Sequence, residues 1–255
     1  MGNKNILVTG GAGFIGDHLV SSLLANRYNV TVVDHHKPRN TNLTYHQIDF
    51  ADTKALMPIL EKHDAVFHLA AMVGVDRCRL HPDEVMKINY QETKHFIDLC
   101  TNTNIKHFFF TSSSEVYGYS KNIPYREDAE LQPLSVYGLT KALTEQYLKS
   151  IHREKGLKVS IVRLFNVYGP RQEPNFVIPI FIGRALRGEK ITIIGDGTQT
   201  RCFTYVKDAT EGMLRLFETN KSGYEIVNIG NKKEMLSQTT GRYYPAIVIG
   251  LTINN

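Results

Sequence analysis

Cysteine is scarce in this chain, with three among 255 residues, and Cys78, Cys100 and Cys202 stand far apart. An odd, scattered set suits neither a disulfide framework nor a metal-ligand cluster, so each reads as a small buried hydrophobe. Long apolar runs are lacking too: none approaches the ~18 residues needed to cross a bilayer. The first residues lead into an apolar run without a signal-peptide stretch, and Ile6 stands where a myristoylation signal carries Ser or Thr. A cytoplasmic protein that does not enter the membrane is expected. Basic runs are missing as well, although 30 Lys and Arg against 25 Asp and Glu leave a formal charge of +5. Dispersed charge argues against nucleic acid and suits a solvated surface and an anionic diphosphate ligand.

What is present is ordinary globular composition, 42% hydrophobic and 22% charged, so the class must be read from pattern. A β-branched run at 5–9 ends in glycines, and Phe14, Ile15, Leu19, Val20, Leu23 and Leu24 follow at helical spacing. A second strand-like run at 30–33 ends at Asp34 and completes a βαβ unit. Further strands are expected near 45–50, 65–69, 107–111 and 159–164, with helices near 83–100 and 137–154. The expectation is an α/β fold: a doubly wound parallel Rossmann sheet with a small C-terminal substrate lobe. The Rossmann domain is placed at 1–170 and the lobe at 171–255. The lobe should hold an apolar segment at 177–186, strands at 191–194 and 203–206, a helix from Asp208 and a strand at 226–229. From about Lys232 helical periodicity is lost and 246–253 reads as an isolated strand-like run, so the C-terminus looks truncated.

Gly10, Gly13 and Gly16 lie in TGGAGFIG, where missing Cβ atoms let the backbone turn tightly, approach a pyrophosphate and pack helix on strand. Asp34 sits near the ~20-residue offset at which a carboxylate meets the adenosine ribose hydroxyls, which favours NAD over NADP. His35, His36 and Lys37 follow it and could tolerate a 2′-phosphate.

Tyr137 and Lys141 are four residues apart on an expected helix and so share one face. An ammonium beside a phenol stabilises the phenolate and makes Tyr a usable base for a hydroxyl proton. A Ser-rich run, Thr111 to Ser114, follows an expected strand directly, where open α/β sheets place ligands.

Over about residues 4–231 the chain resembles the extended short-chain dehydrogenase/reductase family, in its NAD-dependent epimerase/dehydratase branch acting on sugar nucleotides. The marks are TGGAGFIG (9–16), Asp34, HLAA (68–71), Asn89, SSSEVYG (112–118), Tyr137 with Lys141, RLFNVYGPR (163–171) and GDGTQTRCFTYV (195–206). The resemblance implies oxidation of the sugar at carbon 4 to a transient 4-keto species, with Tyr137 as base, Lys141 lowering its pKa and Ser113 bonding the same oxygen. It implies NAD contacts from Gly10, Gly13, Phe14, Ile15, Gly16, Asp34, Asp49, Leu69, Ala70, Ala71, Asn89, Ser112, Tyr137 and Lys141. Ser113, Asn166, Asn175, Val177 and Arg201 would hold the substrate.

Glu115 sits where dehydratases and hexuronate decarboxylases of this branch carry a second acid/base and plain 4-epimerases commonly have a small or neutral residue. A purely structural carboxylate is the alternative. Ser114 departs from the dTDP-glucose dehydratase pattern, which has Asp there. The resemblance also implies a homodimer built on the helices around 89–100 and 137–154. Family members usually run on past Asn228-Ile229-Gly230, so the short tail leaves open a protein that binds NAD without turnover.

Overall fold

A computed structural model describes residues 4–119, 123–191 and 200–236. Strand β1 (Asn5–Thr9) leads into helix α1 (Phe14–Ala25), followed by β2 (Asn29–Val33), β3 (Thr44–His46), α2 (Thr53–Leu60) and β4 (Ala65–His68). Next come α3 (Val75–Leu80), α4 (Pro82–Met86), a π-turn at Lys87–Glu92, α5 (Thr93–Thr101), β5 (His107–Ser113) and a 3-10 turn at Ser114–Tyr117. Helix α6 (Val136–Lys155) and β6 (Lys158–Leu164) close the first stretch. After them lie β7 (Val167–Tyr168), α7 (Val177–Leu186), β8 (Thr200–Cys202), β9 (Thr204–Tyr205), α8 (Val206–Thr219), β10 (Tyr224–Ile229) and β11 (Glu234–Leu236).

Seven strands form one parallel sheet in the order β10-β6-β5-β4-β1-β2-β3. The winding reverses between β1 and β4, and the crevice beyond their carboxyl ends is where such sheets take a ligand. Helices on both faces explain why the strands read as continuous apolar runs. Along β5, Phe108 and Phe110 enter one core with Leu56, Phe96, Ile97 and Leu148, while Phe109 enters the other with Leu19, Leu23, Met213 and Phe217. Each fully buried side chain of that size contributes roughly 1.5–3 kcal/mol.

The chain forms two compact units, one of residues up to Leu164 with Thr210–Ile229, the other of Phe165–Ala209 with residues from Gly230 on. This differs from a single cut at residue 170, because β10 returns to pair with β6 from Tyr224↔Val159 to Ile229↔Leu164. The second unit has its own small core of Ile178, Phe181 and Phe203, with β7 parallel to β9 and β8 antiparallel to β11.

The expected helix at 83–100 exists but is interrupted by the π-turn. Helix α2 was not foreseen, since Pro58 lies inside a run of eight residues. The apolar segment at 177–186 is helix α7. Cys78 and Cys100 are buried as expected, whereas Cys202 is only half-buried on the short strand β8. The run at 246–253 and residues 192–194 of the expected strand at 191–194 lie outside the described residues.

Candidate active site

The glycine-rich turn closes against the end of β4. Gly10 has φ +72°, and a Cβ there would meet the backbone nitrogen of Ala70 at 2.6 Å; one on Gly16 would meet the carbonyl oxygen of Gly10 at 2.1 Å. Both positions therefore exclude a side chain and let α1 begin tight against the sheet. Gly13 caps α1 without a side-chain bond, which leaves exposed N–H groups suited to a phosphate. Phe14 and Ile15 open the helix, and Leu69, Ala70 and Ala71 follow β4 beside the same turn, with Leu69 N–H donating to Thr9 O at 3.0 Å.

Asp34 stands at the end of β2. Its Oδ2 accepts the Ala12 N–H at 3.0 Å and its Oδ1 the His36 N–H at 2.9 Å, so the carboxylate is fixed beside the turn. Asp49 accepts the Ala51 N–H at 2.8 Å and lies 3.5 Å from the His35 ring. A cradle with no room for Cβ atoms, a free helix N-terminus and an anchored carboxylate fit a dinucleotide.

Asn89 lies in the π-turn, a helical irregularity often found at functional sites. Its amide is fully engaged with one residue, Oδ1 accepting Met72 N–H at 2.7 Å and Nδ2 donating to Met72 O at 2.9 Å. Through these two bonds the side chain fixes the loop after β4. The Ser112 hydroxyl is buried and donates to Glu145 Oε1 at 2.5 Å.

Ser113 ends β5, and Tyr137 and Lys141 stand one turn apart on α6, whose start is set by Ser135 accepting the Gly138 N–H at 3.0 Å. Lys141 is buried; its ammonium donates to Thr111 O at 2.9 Å and lies 4.8 Å from the Phe110 ring centre and 5.7 Å from that of Tyr137. Burial pulls its pKa down to about 8, against the opposing pull of Glu145 and a lesser one from Cys78. Burial pushes the Tyr137 phenol up, Glu115 and Cys78 push it further, and a hydrogen bond with Ser113 opposes them. The Lys141 ammonium is thus held by Thr111 one helical turn from Tyr137, and Ser113 is the hydrogen-bonding partner that lowers the phenol. Glu115 is exposed, and its carboxylate accepts from the Ser135 hydroxyl.

The expected substrate contacts Asn166, Asn175, Val177 and Arg201 all belong to the second unit. Asn166 has φ +35° and donates to Cys202 O at 3.0 Å, anchoring β8, the strand that carries Arg201. Asn175, Val177 and Arg201 are exposed.

The sequence pattern of the NAD dependent epimerase/dehydratase family matches residues 6–230. The chain belongs to this family. A UDP-N-acetyl-alpha-D-glucosaminuronate decarboxylase from Bacillus cytotoxicus is 36% identical over 251 residues, covering 91% of this chain and 76% of that protein. A UDP-N-acetylglucosamine 4-epimerase from Methanobrevibacter ruminantium, solved with UDP-N-acetylmuramic acid, superposes with a TM-score of 0.89 at 37% identity, over 99% of this chain and 83% of the other. A UDP-glucuronic acid 4-epimerase from Bacillus cereus, solved with UDP-glucuronic acid and NAD, gives a TM-score of 0.84 at 34% identity, over 92% and 80%.

Sequence reasoning missed a buried polar network in this family member. Arg163 pairs with Glu145 at 2.6 Å, donates to the Tyr117 hydroxyl at 2.7 Å and to Glu127 O at 3.0 Å, and Tyr117 donates to Asn228 at 2.7 Å. Tyr117, Arg163 and Asn228 lie inside motifs already noted, but nothing local says that they meet. Also missed was a chain from Thr9 through His68 to Thr93, at 2.7 and 3.1 Å. The Thr93 hydroxyl donates onward to Ile88 O at 3.1 Å, so it accepts from His68 Nε2–H, and Nδ1 accepts from Thr9. Among the described residues no helix is long and apolar enough to cross a membrane.

Proposed function

We propose that this chain is an NAD-dependent enzyme that reworks a UDP-hexose through a transient 4-keto sugar, acting as a 4-epimerase. The observation that carries the reading is the Ser113–Tyr137–Lys141 group at the carboxyl end of β5, on the same sheet edge as the Gly10–Gly16 turn and the anchored Asp34. Bound NAD supplies the hydride acceptor and, through its positively charged nicotinamide ring, a pull towards the phenolate. Tyr137 takes the proton of the 4-hydroxyl and returns it, Ser113 donates to the same oxygen, and Lys141 adds the fixed positive charge. Asn166, Asn175, Val177 and Arg201 hold the nucleotide sugar, a guanidinium fork suiting paired phosphate oxygens. The enzyme works in the cytoplasm as a homodimer and binds no nucleic acid.

Decarboxylation or dehydration is the second reading, favoured by Glu115: its exposed carboxylate is tied by Ser135 to the start of the helix that carries Tyr137, where a second acid/base would act on a carbon next to the ketone. Incubation with UDP-glucose, UDP-N-acetylglucosamine, UDP-glucuronate and GDP-mannose, read by mass and by proton NMR of the sugar ring, tests both. Unchanged mass with inverted stereochemistry is expected; loss of carbon dioxide or water selects the second reading. No turnover with NAD still bound leaves a non-catalytic NAD-binding protein.

A further inference from the structure

Helix α6 carries Tyr137, Lys141 and Glu145 at successive four-residue steps, so the three side chains form one stripe with Cβ atoms about 5–6 Å apart along it. The third is an acid buried in the protein, 1% exposed. A carboxylate so placed costs several kcal/mol of desolvation unless it is paired and fully hydrogen-bonded. Both conditions hold. Arg163 on β6 meets it with Nη2 at 2.6 Å to Oε2 and Nε at 3.1 and 3.3 Å to its two oxygens, and the Ser112 hydroxyl donates to Oε1 at 2.5 Å. The remaining donors of Arg163 reach Tyr117 and Glu127, whose own side chain accepts the Asn228 N–H at 2.8 Å. The pair therefore joins the carboxyl ends of β5, β6 and β10 to the helix that carries the base.

We infer that the Glu145–Arg163 ion pair positions the chemistry: Glu145 is the buried counter-charge one helical turn from the Lys141 ammonium and, through Ser112, fixes where Ser113 stands against Tyr137. A hydrophobic pair of similar volume would hold helix to strand as well or better. The ionic pair does what such a pair cannot, by placing a negative charge one turn from Lys141. The groups facing Lys141 are Tyr137 and Glu145 from α6, neutral His68 from β4, the Cys78 thiol from α3 and the Thr111 carbonyl from β5. Glu115 faces Tyr137 from the 3-10 turn. Of these, Glu145 is the largest opposing influence against the burial that depresses Lys141.

The test compares full-length wild type, Glu145→Gln and Arg163→Met. The Lys141 ionisation is followed by NMR in 13Cε-lysine-labelled protein, with Lys141→Met assigning the resonance. The alkaline limb of kcat is followed alongside. Glu145→Gln removes the stabilising charge and should lower the Lys141 midpoint by about one pH unit or more. Arg163→Met leaves the acid unneutralised and should move it upward. Opposite shifts from two substitutions that both break one contact are not produced by a packing role. If either single variant does not fold, Glu145→Gln/Arg163→Met, which buries no unpaired charge, replaces it and must still titrate below wild type. A Lys141 midpoint unchanged in Glu145→Gln, or in that double variant, overturns the inference. The kinetic arm rests on the proposed function and the NMR arm does not: Lys141 shifting in a protein that turns over no sugar nucleotide keeps the inference and discards the activity.

Discussion

The hydroxyl of Ser135 donates to Oε2 of Glu115 at 2.5 Å while accepting the backbone N–H of Gly138 at 3.0 Å. One side chain thus caps α6 and ties the Glu115 carboxylate to the start of that helix. Space around it is tight, since a Cβ on Gly138 would lie 2.7 Å from the carbonyl oxygen of Glu115. Ser135→Ala should cost about 1 kcal/mol in urea unfolding from the lost cap, whereas Ser135→Thr, which keeps the hydroxyl, should cost much less. Equal midpoints for Ala and wild type would show that the cap contributes nothing.

Asp34 is held by two backbone N–H groups, so its charge sits at a fixed place next to the turn. Titration calorimetry should find NAD bound more tightly than NADP. Asp34→Asn should weaken NAD by about 10- to 100-fold, the worth of one charge-assisted hydrogen bond. Wild-type protein that binds NADP as tightly as NAD is the contrary result.

Glu115→Gln separates the two readings of the reaction, because it removes a titratable group and leaves Ser113 and Tyr137 in place. A 4-epimerase needs no second acid/base and should lose little activity. A decarboxylase or dehydratase should slow by about 10²- to 10⁴-fold, with reduced nicotinamide absorbance building up in a single turnover. Tyr137→Phe should show no such build-up while still binding NAD, since oxidation itself is blocked.

Acid should destabilise this protein below neutrality. His68 and His107 are buried, and burial takes each down from 6.5 to about 3, with Lys141 near the first and Lys158 near the second adding to the effect. Between those values the unfolded chain binds protons that the folded one refuses, so stability falls as pH drops from about 6.5 towards 3. The slope is about 1.4 kcal/mol per pH unit for each histidine. Urea unfolding at pH 7 and pH 5 measures this, and identical midpoints would contradict it.

Much of the fold was legible because its signals are local. The β-branched runs at 5–9 and 30–33, the glycine spacing and the helical stripe after it all declare themselves within a dozen residues. The four-residue spacing of Tyr137 and Lys141 and the place of Asp34 at the end of a strand-like run are local signals too, whereas Ser113 came only through the family resemblance. What stayed hidden depends on partners far away in the chain. Glu145 reads as an ordinary polar residue of a long helix, and only the arrival of Arg163 from β6 makes it a buried ion. The side-chain bonds of Asn89 to Met72 and of Ser112 to Glu145 were likewise hidden, since each partner lies 17 or 33 residues away in the chain. Local pattern also undercounts α2, because Pro58 interrupts the apolar run that a helix would show.

The π-turn at Lys87–Glu92 sets how the stretch from Pro82 to Thr101 answers a change in length. A wide turn accommodates an extra residue within an otherwise α-helical stretch, and each α-helical residue turns the chain by about 100°. Deleting one residue there would let the wide turn close into regular α-helix, with Phe96, Ile97 and Cys100 still on the face that packs in the core. What would go is the local widening from which Asn89 meets Met72 through both its amide atoms. The cost of such a deletion would therefore fall on the loop after β4 and not on the core.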